Sequence, residues 1–186
     1  QARACRLADA LDSYDIVEYI VAPQDIHGEV MCLHTYEASV HNTEKHLPQS
    51  PETREQAELL IDMAAAVVGG RDKLRNRPII SGCACPQSPL SLSKGCSDAI
   101  IAYAEAGLPM NILSMAMAGG TSPATIAGTL VTHNCEVLSG LVLSQLVRKG
   151  APVIYGSSTT VMDLRKATAT VGCPELGMIS AGVAKL

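Results

Sequence analysis

The stretch NILSMAMAGGTSPATIAGTLVTHN, residues 111–134, decides the fold of this chain. It begins as an apolar run, breaks at Gly119 and Gly120, and resumes after Pro123 as a long series of small and apolar residues. A continuous apolar run is typical of a strand buried on both faces, and proline is typical of the first turn of a helix. The stretch therefore predicts a strand, a tight turn and a helix in direct succession.

The same alternation continues on both sides of this stretch. Four other apolar runs predict strands, of which the second is the weakest: IVEYIVAP (16–23), EKHLPQSP (44–51), RPIISGCACP (77–86) and APVIYGSST (151–159). Helical patterns follow the five strands at 25–42, 52–70, 90–107, 122–150 and 173–186, and no hairpin is indicated. Five consecutive strand-helix units require crossover connections, so the sequence predicts an α/β fold with a parallel sheet.

The length of the units fits two α/β architectures. Units of roughly 30–40 residues suit a doubly wound sheet or a (β/α)8 barrel, of which five units would be only a part. No G-x-G-x-x-G motif follows the first strand, which weakens the doubly wound alternative without excluding it. The chain begins at Gln1 and reaches Leu186 within an apparent helix, so we expect a piece of a longer protein.

Composition narrows the class of protein. With 47% hydrophobic and 17% charged residues, and without an apolar run of roughly 18 residues, the chain is expected to be soluble and not membrane-bound. The net charge is -4 and the basic residues are scattered, so no nucleic-acid partner is expected. The seven cysteines are odd in number and lie mostly in helix or strand patterns. We interpret them as reduced thiols of a cytoplasmic protein.

The candidate binding residues lie in or beside three polar loops that follow neighbouring strands. The first loop is residues 119–122, the second is residues 155–160 and the third is residues 81–89. In the first loop, Ser122 is expected to cap the helix, and the free N–H groups of the turn could face an anion; the alternative is a turn with no ligand. The carboxyl ends of parallel strands are where ligands bind in α/β folds. The candidates are Met117, Gly119, Gly120 and Thr121, then Tyr155, Ser157 and Ser158, with Ser81 and Gln87 as lesser ones.

Two further groups are interpreted as structural. Cys83 and Cys85 would share one face of a strand, and two buried thiols are favoured over a metal site, so no metal is expected. His133, Asn134 and Cys135 are adjacent on a predicted helix, where their side chains diverge, and packing is favoured over catalysis.

Longer segments carry a resemblance to a known family. Residues 111–147 and 150–186 closely resemble the trimethylamine methyltransferase family, the corrinoid-dependent enzymes of methylamine metabolism and methanogenesis. The segments IVAPQD (20–25), MAAAVVGG (63–70) and CPQSPLSLSK (85–94) are similar to that family as well. The resemblance therefore covers most of the chain.

The resemblance implies a fold, an activity and a partner. It favours a partial (β/α)8 TIM barrel as one domain over residues 1–186, and a homo-oligomeric enzyme. The activity would be methyl transfer from trimethylamine, or a related methylated or quaternary amine, to the Co(I) corrinoid of a cognate corrinoid protein. The corrinoid would stay on that partner, and pyrrolysine would lie in a carboxyl-terminal region outside this chain. Tyr155 would contact the methylated ammonium through a cation-π interaction, and the catalytic residues stay undefined.

Two alternatives stay open from the residues alone. The Gly-Gly-Thr-Ser turn before a helix would also suit a phosphate-binding barrel, such as a lyase or an isomerase. The other alternative is a non-catalytic module that only presents a docking surface. If the methyltransferase interpretation holds, residues 1–186 alone are expected to be inactive, because an unclosed barrel has open edges.

Overall fold

The computed structural model describes all residues 1–186 and shows a mixed α/β fold of seven helices and seven strands. The helices are α1 (Ala2–Asp9), α2 (Gly28–Val40), α3 (Arg54–Val68), α4 (Arg71–Asn76), α5 (Lys94–Ala106), α6 (Ile126–Val147) and α7 (Pro174–Val183). The strands are β1 (Leu47–Gln49), β2 (Ile80–Ala84), β3 (Met110–Ser114), β4 (Met117–Ala118), β5 (Val153–Ser157), β6 (Thr160–Asp163) and β7 (Thr168–Ala169).

The central sheet has four parallel strands in the order β1-β2-β3-β5. Neighbouring strands of this sheet follow one another in chain order. Helices α3 and α4 lie between β1 and β2, α5 lies between β2 and β3, and α6 lies between β3 and β5. An isolated parallel bridge from Ile16 to His46 lies beside the start of β1. The predicted parallel sheet is therefore confirmed, and its strand order is consistent with an arc of a barrel, because no reversal of order occurs within it.

One face of the sheet packs against the helices. Met110 and Ile112 of β3 are fully buried, together with Ile100 and Tyr103 of α5. Gly82 of β2 lies against them so closely that a Cβ there would overlap the Met110 sulfur and lie 3.0 Å from the Tyr103 ring. The core is thus aliphatic with a few tyrosines, as the absence of Phe and Trp requires.

Several helix and strand positions confirm predictions that were made from individual residues of the sequence. Gly69 after α3 and Gly107 after α5 have φ values of +84° and +71°, the left-handed conformation that glycine adopts easily at helix ends. Pro174 begins α7, and the weak run around residue 47 forms β1. These signals depend only on the residues at the boundary itself.

Other local predictions were wrong. Residues 16–23 form only the Ile16 bridge, and the run at 108–120 divides into β3 and β4. Helix α6 begins at Ile126 and is capped by Thr125, whose hydroxyl accepts from the Gly128 N–H at 3.1 Å, rather than by Ser122. Helices α1 and α4 were not anticipated, because both are short, with 8 and 6 residues.

A small second sheet contradicts the expected absence of hairpins. Strand β6 pairs in parallel with β4 and antiparallel with β7, and a short turn joins β6 to β7. The carboxylate of Asp163 accepts hydrogen bonds from the N–H groups of Arg165 and Lys166, so a side chain organises the turn. The turn contains no glycine or asparagine, the residues typical of tight hairpin turns, and therefore the hairpin was not predicted.

Helix α6 has the length and composition of a membrane-spanning helix. It has 22 residues, and its most apolar window has a mean hydropathy of 1.3. In this fold it packs against α5, α7, β3 and β5, and its buried positions include polar residues such as His133 and Glu136. These contacts are those of a helix covering a sheet, so length and composition alone are weak evidence for a membrane span.

Candidate functional site

The two faces of the central sheet differ in what they contact. Ile112 points toward α6, since a Cβ on Gly140 of that helix would lie 2.9 Å from the Ile112 side chain. Successive residues of a strand point to opposite faces, so Asn111 and Leu113 point away from the helices. We call this second side the open face and define it by these residues: Ser81, Cys83, Asn111, Leu113, Ile154 and Gly156.

The open face carries apolar side chains and one buried polar atom that makes no hydrogen bond. The register places Asn111 beside Ile154 and Leu113 beside Gly156, and Ile154 is 46% exposed. A Cβ at Gly156 would overlap the Asn111 Oδ1 atom, so the absence of a side chain makes room for that amide. The Asn111 Oδ1 atom is buried and makes no hydrogen bond. A buried acceptor without a donor indicates a position where a further group can bind.

Two of the three predicted polar loops, those after β2 and β5, meet at the carboxyl end of β3. The Ser114 carbonyl accepts from the Ser158 N–H at 2.8 Å and from the Thr159 hydroxyl at 3.3 Å. Its hydroxyl donates to Glu136 at 2.6 Å. Ser114 and Glu136 thereby join the loops after β2 and β5 at one end of the sheet. The predicted polar turn at residues 119–122 follows β4 and packs against β6 instead.

Glu136 joins these loops and was not anticipated. Its carboxylate is buried and accepts from the Ser88 hydroxyl at 2.8 Å and the Leu90 N–H at 2.9 Å, in addition to Ser114. We call these four residues the Glu136 junction. The only sign in the sequence is that Glu136 is the one Asp, Glu, Lys or Arg in the 22 residues of α6. A lone carboxylate in an apolar helix indicates a buried, hydrogen-bonded charge.

The Gly-Gly-Thr-Ser turn satisfies its own backbone. The N–H groups of Gly120, Thr121 and Ser122 all point to the Met117 carbonyl, at 2.9–3.0 Å, and the Gly119 N–H donates to the Ser122 carbonyl. The Thr121 hydroxyl accepts from the Met117 N–H at 3.0 Å. Because these donors are used within the turn, they do not form a free anion cradle of the kind found at phosphate sites.

Two constraints explain the glycines of this turn. Gly119 has a φ of +81°, where a side chain would be strained. A Cβ on Gly120 would overlap the Met162 sulfur of β6. The glycines therefore let the turn pack closely against the second sheet. Met117 is half-buried in β4, beside Thr160 of β6.

Tyr155 lies on the helix side of β5, paired with Ile112, and not on the open face. Its hydroxyl donates to the Asn134 side chain of α6 at 2.8 Å, and its ring centre lies 5.4 Å from that of His133. Burial raises the pKa of the Tyr155 hydroxyl. A contact between Tyr155 and a ligand stays a prediction, and its ring is directed toward α6 rather than toward Asn111.

The remaining candidates occupy different positions. Ser157 is half-buried and its hydroxyl accepts from the Thr159 N–H at 3.3 Å, while the Ser158 side chain makes no hydrogen bond. Ser81 is buried on the open face, 2.8 Å from His46 Nε2. Gln87 is exposed, and its backbone pairs with Ser91 in a small bridge. The structure thus brings Ser81 to the open face and places Gln87 in the outer loop.

The side chains of residues 133–135 diverge, as predicted. His133 is buried with Nδ1 2.9 Å from the Thr159 hydroxyl, Asn134 binds Tyr155, and Cys135 is exposed. Burial lowers the pKa of His133, so its imidazole is neutral near pH 7. The three residues share no common site.

The interpretation of the C-x-C thiols was wrong in one respect. Cys83 is buried on β2, but Cys85 lies just beyond the strand and is exposed. The thiol of Cys83 lowers the pKa of Cys85 to about 7 through a hydrogen bond, and the same contact, with burial, raises the pKa of Cys83. No three His, Cys, Asp or Glu side chains in the chain come together as a metal site.

A separate cleft lies at the opposite end of the sheet. It encloses about 230 Å³ between α3, α4 and α5 and is lined by charged residues that include Glu58, Arg71 and Glu105. Arg54 pairs with both Glu58 and Glu105 at the surface of the same helices. Ligands of parallel α/β folds bind beyond the carboxyl ends of the strands, so we assign the candidate site to that end of the sheet. We call it the loop end, because the polar loops after β2 and β5 lie there.

Comparisons with known proteins agree over the whole chain. Residues 2–186 match the family model described as trimethylamine methyltransferase (MTTB). The chain is 56% identical to the trimethylamine methyltransferase MttB of Desulfitobacterium hafniense and 48% identical to that of Methanosarcina barkeri, in both cases over 100% of its length. It is 38% identical over 88% of its length to a glycine betaine methyltransferase of D. hafniense. It spans only 34–38% of these relatives.

Proposed function

The chain belongs to the trimethylamine methyltransferase family, and on that premise we propose that its whole protein transfers a methyl group from a methylated amine to a corrinoid protein. The proposed donor is trimethylamine or a related quaternary amine, and the proposed acceptor is the Co(I) corrinoid of a cognate partner. The observation that carries the proposal is the 56% identity to a trimethylamine methyltransferase along the complete chain. The proposed setting is methylamine catabolism in the cytoplasm, which the seven free cysteines support.

A partial (β/α)8 barrel is the architecture proposed for this segment. The sequential parallel order of β1, β2, β3 and β5 supports it, as does the Ile16 bridge beside β1. Strand β5 ends the sheet in this chain, so its free edge is where the next strand of the whole protein would pair. The open face would then line the barrel interior, and the joined loops after β2 and β5 would lie at its mouth.

The residues of the open face suit a methylated ammonium. Leu113 and Ile154 provide apolar surface for methyl groups, and the Asn111 Oδ1 atom provides a partial negative charge. The corrinoid, carried by the partner, supplies the nucleophile of the transfer. The task left to this chain is to bind the positively charged amine and to hold its methyl group in line with the acceptor.

The identity of the amine depends on parts of the protein outside this chain. Trimethylamine-specific members of the family would carry pyrrolysine beyond residue 186, and we include that residue in the proposal. The similarity to a glycine betaine methyltransferase makes a quaternary amine the second substrate to assay. We expect residues 1–186 alone to be inactive and the whole enzyme to be a homo-oligomer.

The phosphate-binding alternative has lost the observation that motivated it. It required free N–H groups at a helix start, but those of residues 119–122 are bonded within the turn, and α6 begins at Ile126. The alternative of a pure docking module makes a different prediction from the enzyme. A whole protein that binds the corrinoid partner without any turnover would support the docking module instead.

We predict that Asn111→Leu in the whole protein raises KM for trimethylamine about tenfold. The trimethylammonium ion has one N–H, and a hydrogen bond to a charged group contributes roughly 1.5 kcal/mol, which corresponds to about that factor. A quaternary amine has no N–H, so the increase should be smaller for glycine betaine. Steady-state kinetics with both amines measures the difference.

Tyr155→Leu is the companion variant for the kinetics. A raised KM would place the Tyr155 ring against the amine, and an unchanged KM would remove Tyr155 from the site. An unchanged KM for trimethylamine in Asn111→Leu, with normal folding, would contradict the assignment of Asn111. Circular dichroism of each variant reports whether the fold is retained.

A further inference from the structure

Three thiols line one groove at the loop end of the sheet. The groove has a volume of about 450 Å³ and lies between the loop after β1, the end of β2 and the first turn of α5. Cys83, Cys85 and Cys96 all line it, together with Ser50 and Glu52 among others. Cys85 is exposed to solvent, while Cys83 and Cys96 are buried. One reactive position and two sheltered thiols therefore share a single space.

Cys83 and Cys85 are placed to react with each other. Cys83 is the fourth residue of β2, and Cys85 is the first residue beyond that strand. In regular extended chain two such residues have Cα atoms roughly 6.6 Å apart, at the upper limit of the range of about 4.4–6.8 Å that a disulfide spans, so the backbone at Cys85 must bend toward Cys83 for the two sulfurs to bond. The last residue of β2 in register with β3 is Ala84, so the ladder does not hold Cys85 in place.

The surroundings make Cys85 the attacking thiol. Cys85 is the exposed thiol of the pair. Hydrogen bonding from Cys83 lowers the pKa of Cys85, so a larger fraction of Cys85 is thiolate at neutral pH than of an ordinary cysteine. The other ionisable groups that act on this thiol are Cys83 itself and Glu18, and the effect of Glu18 is to raise the pKa. Burial and the neighbouring Cys85 raise the pKa of Cys96, which keeps that thiol protonated.

We propose that Cys85 and Cys83 form a reversible thiol–disulfide pair that reacts with small-molecule disulfides. The Cys85 thiolate attacks one sulfur of the small disulfide, whose sulfur-sulfur bond breaks and releases one thiol after protonation. Cys83 then loses its proton to solvent and attacks the Cys85 sulfur, releasing the second thiol. The small disulfide gains two electrons and two protons, and the Cys83–Cys85 pair loses them.

Intact-mass spectrometry of the whole protein with oxidised glutathione tests the pair. We expect the wild-type protein to lose two hydrogens and to retain no glutathione, with a Cys83–Cys85 disulfide in the peptide map. In Cys83→Ser the resolving thiol is absent, so glutathione should stay on Cys85. In Cys96→Ser the result should equal that of the wild type. Cys135, exposed on α6, is an internal control that should react more slowly.

The pH dependence provides a second measurement. The alkylation rate of Cys85 by iodoacetamide should rise through pH 7, because the thiolate is the nucleophile. No reaction of Cys85 with either reagent would overturn the proposal. A disulfide between Cys85 and Cys96, or glutathione that persists on wild-type Cys85, would overturn the role of Cys83. These readouts are masses and not activities, so they are independent of the proposed methyl transfer.

Discussion

Replacing Glu136 by alanine should lower the free energy of unfolding of the whole protein by about 3 kcal/mol. The carboxylate is buried and accepts hydrogen bonds from Ser88, Leu90 and Ser114. The variant leaves a part-buried N–H and two hydroxyls without their acceptor, and the hydroxyls recover part of the loss by rotating. Urea unfolding monitored by circular dichroism measures the change.

Two control variants distinguish the stability lost with the hydrogen bonds of the Glu136 junction from the stability lost when any carboxylate charge is removed. Glu136→Gln keeps one amide oxygen as an acceptor and should cost less than the alanine variant. Glu58→Gln removes a carboxylate that pairs with Arg54 at the surface, where about half of the side chain is exposed, and should change stability by less than about 1 kcal/mol. Equal stability of Glu136→Ala and wild type would contradict the junction.

Replacing Gly82 by alanine should cost about 2 kcal/mol, because the added methyl group has no free space. It would overlap the Met110 sulfur and lie 3.0–3.1 Å from the Tyr103 ring, and both of these side chains are fully buried. The sheet and α5 must therefore separate slightly or change rotamers. Thermal unfolding of the whole protein measures the loss.

Gly177→Ala is the matched control for Gly82→Ala. Gly177 lies within α7, and a Cβ there would meet nothing within 4 Å. Alanine is better than glycine in a helix by roughly 0.5–1 kcal/mol, so this variant should be neutral or slightly stabilised. A Gly82→Ala variant as stable as Gly177→Ala would contradict the close packing of β2 on α5.

The parts of the fold that the sequence predicted well are those decided by neighbouring residues. The glycines after α3 and α5 adopt the left-handed conformation at those helix ends, and Pro174 starts α7. The parallel order of the sheet also follows from alternation along the chain. The helix boundaries are decided by residues at the boundary itself, and the sheet order is decided by the succession of strand-helix units along the chain.

The errors arose where distant residues decide the outcome. Ser122 and Thr125 are both suitable caps, and the choice depends on the turn in which residues 120–122 donate hydrogen bonds to the Met117 carbonyl. Residues 16–23 have the composition of a strand, but only Ile16 pairs. Composition does not specify how many residues of a run obtain a partner in a sheet.

The candidate site was likewise predicted only in part from the sequence. Strand order correctly brought two of the three predicted polar loops together at Ser114, those after β2 and β5, while the turn at residues 119–122 packs elsewhere. The side to which Tyr155 points depends on strand register, and the sequence does not reveal that register. Asn111 was likewise missed, because its uncommitted oxygen is visible only once Gly156 is beside it.

The central claim is methyl transfer from an amine to a corrinoid, and absorbance spectroscopy of the cobalt tests it most directly. The whole protein is mixed with its corrinoid partner in the Co(I) state, and trimethylamine or glycine betaine is then added. We predict a loss of the Co(I) absorbance that depends on both the enzyme and one of these amines. An unchanged Co(I) spectrum with every methylated amine, in a folded protein that binds the partner, would contradict the account.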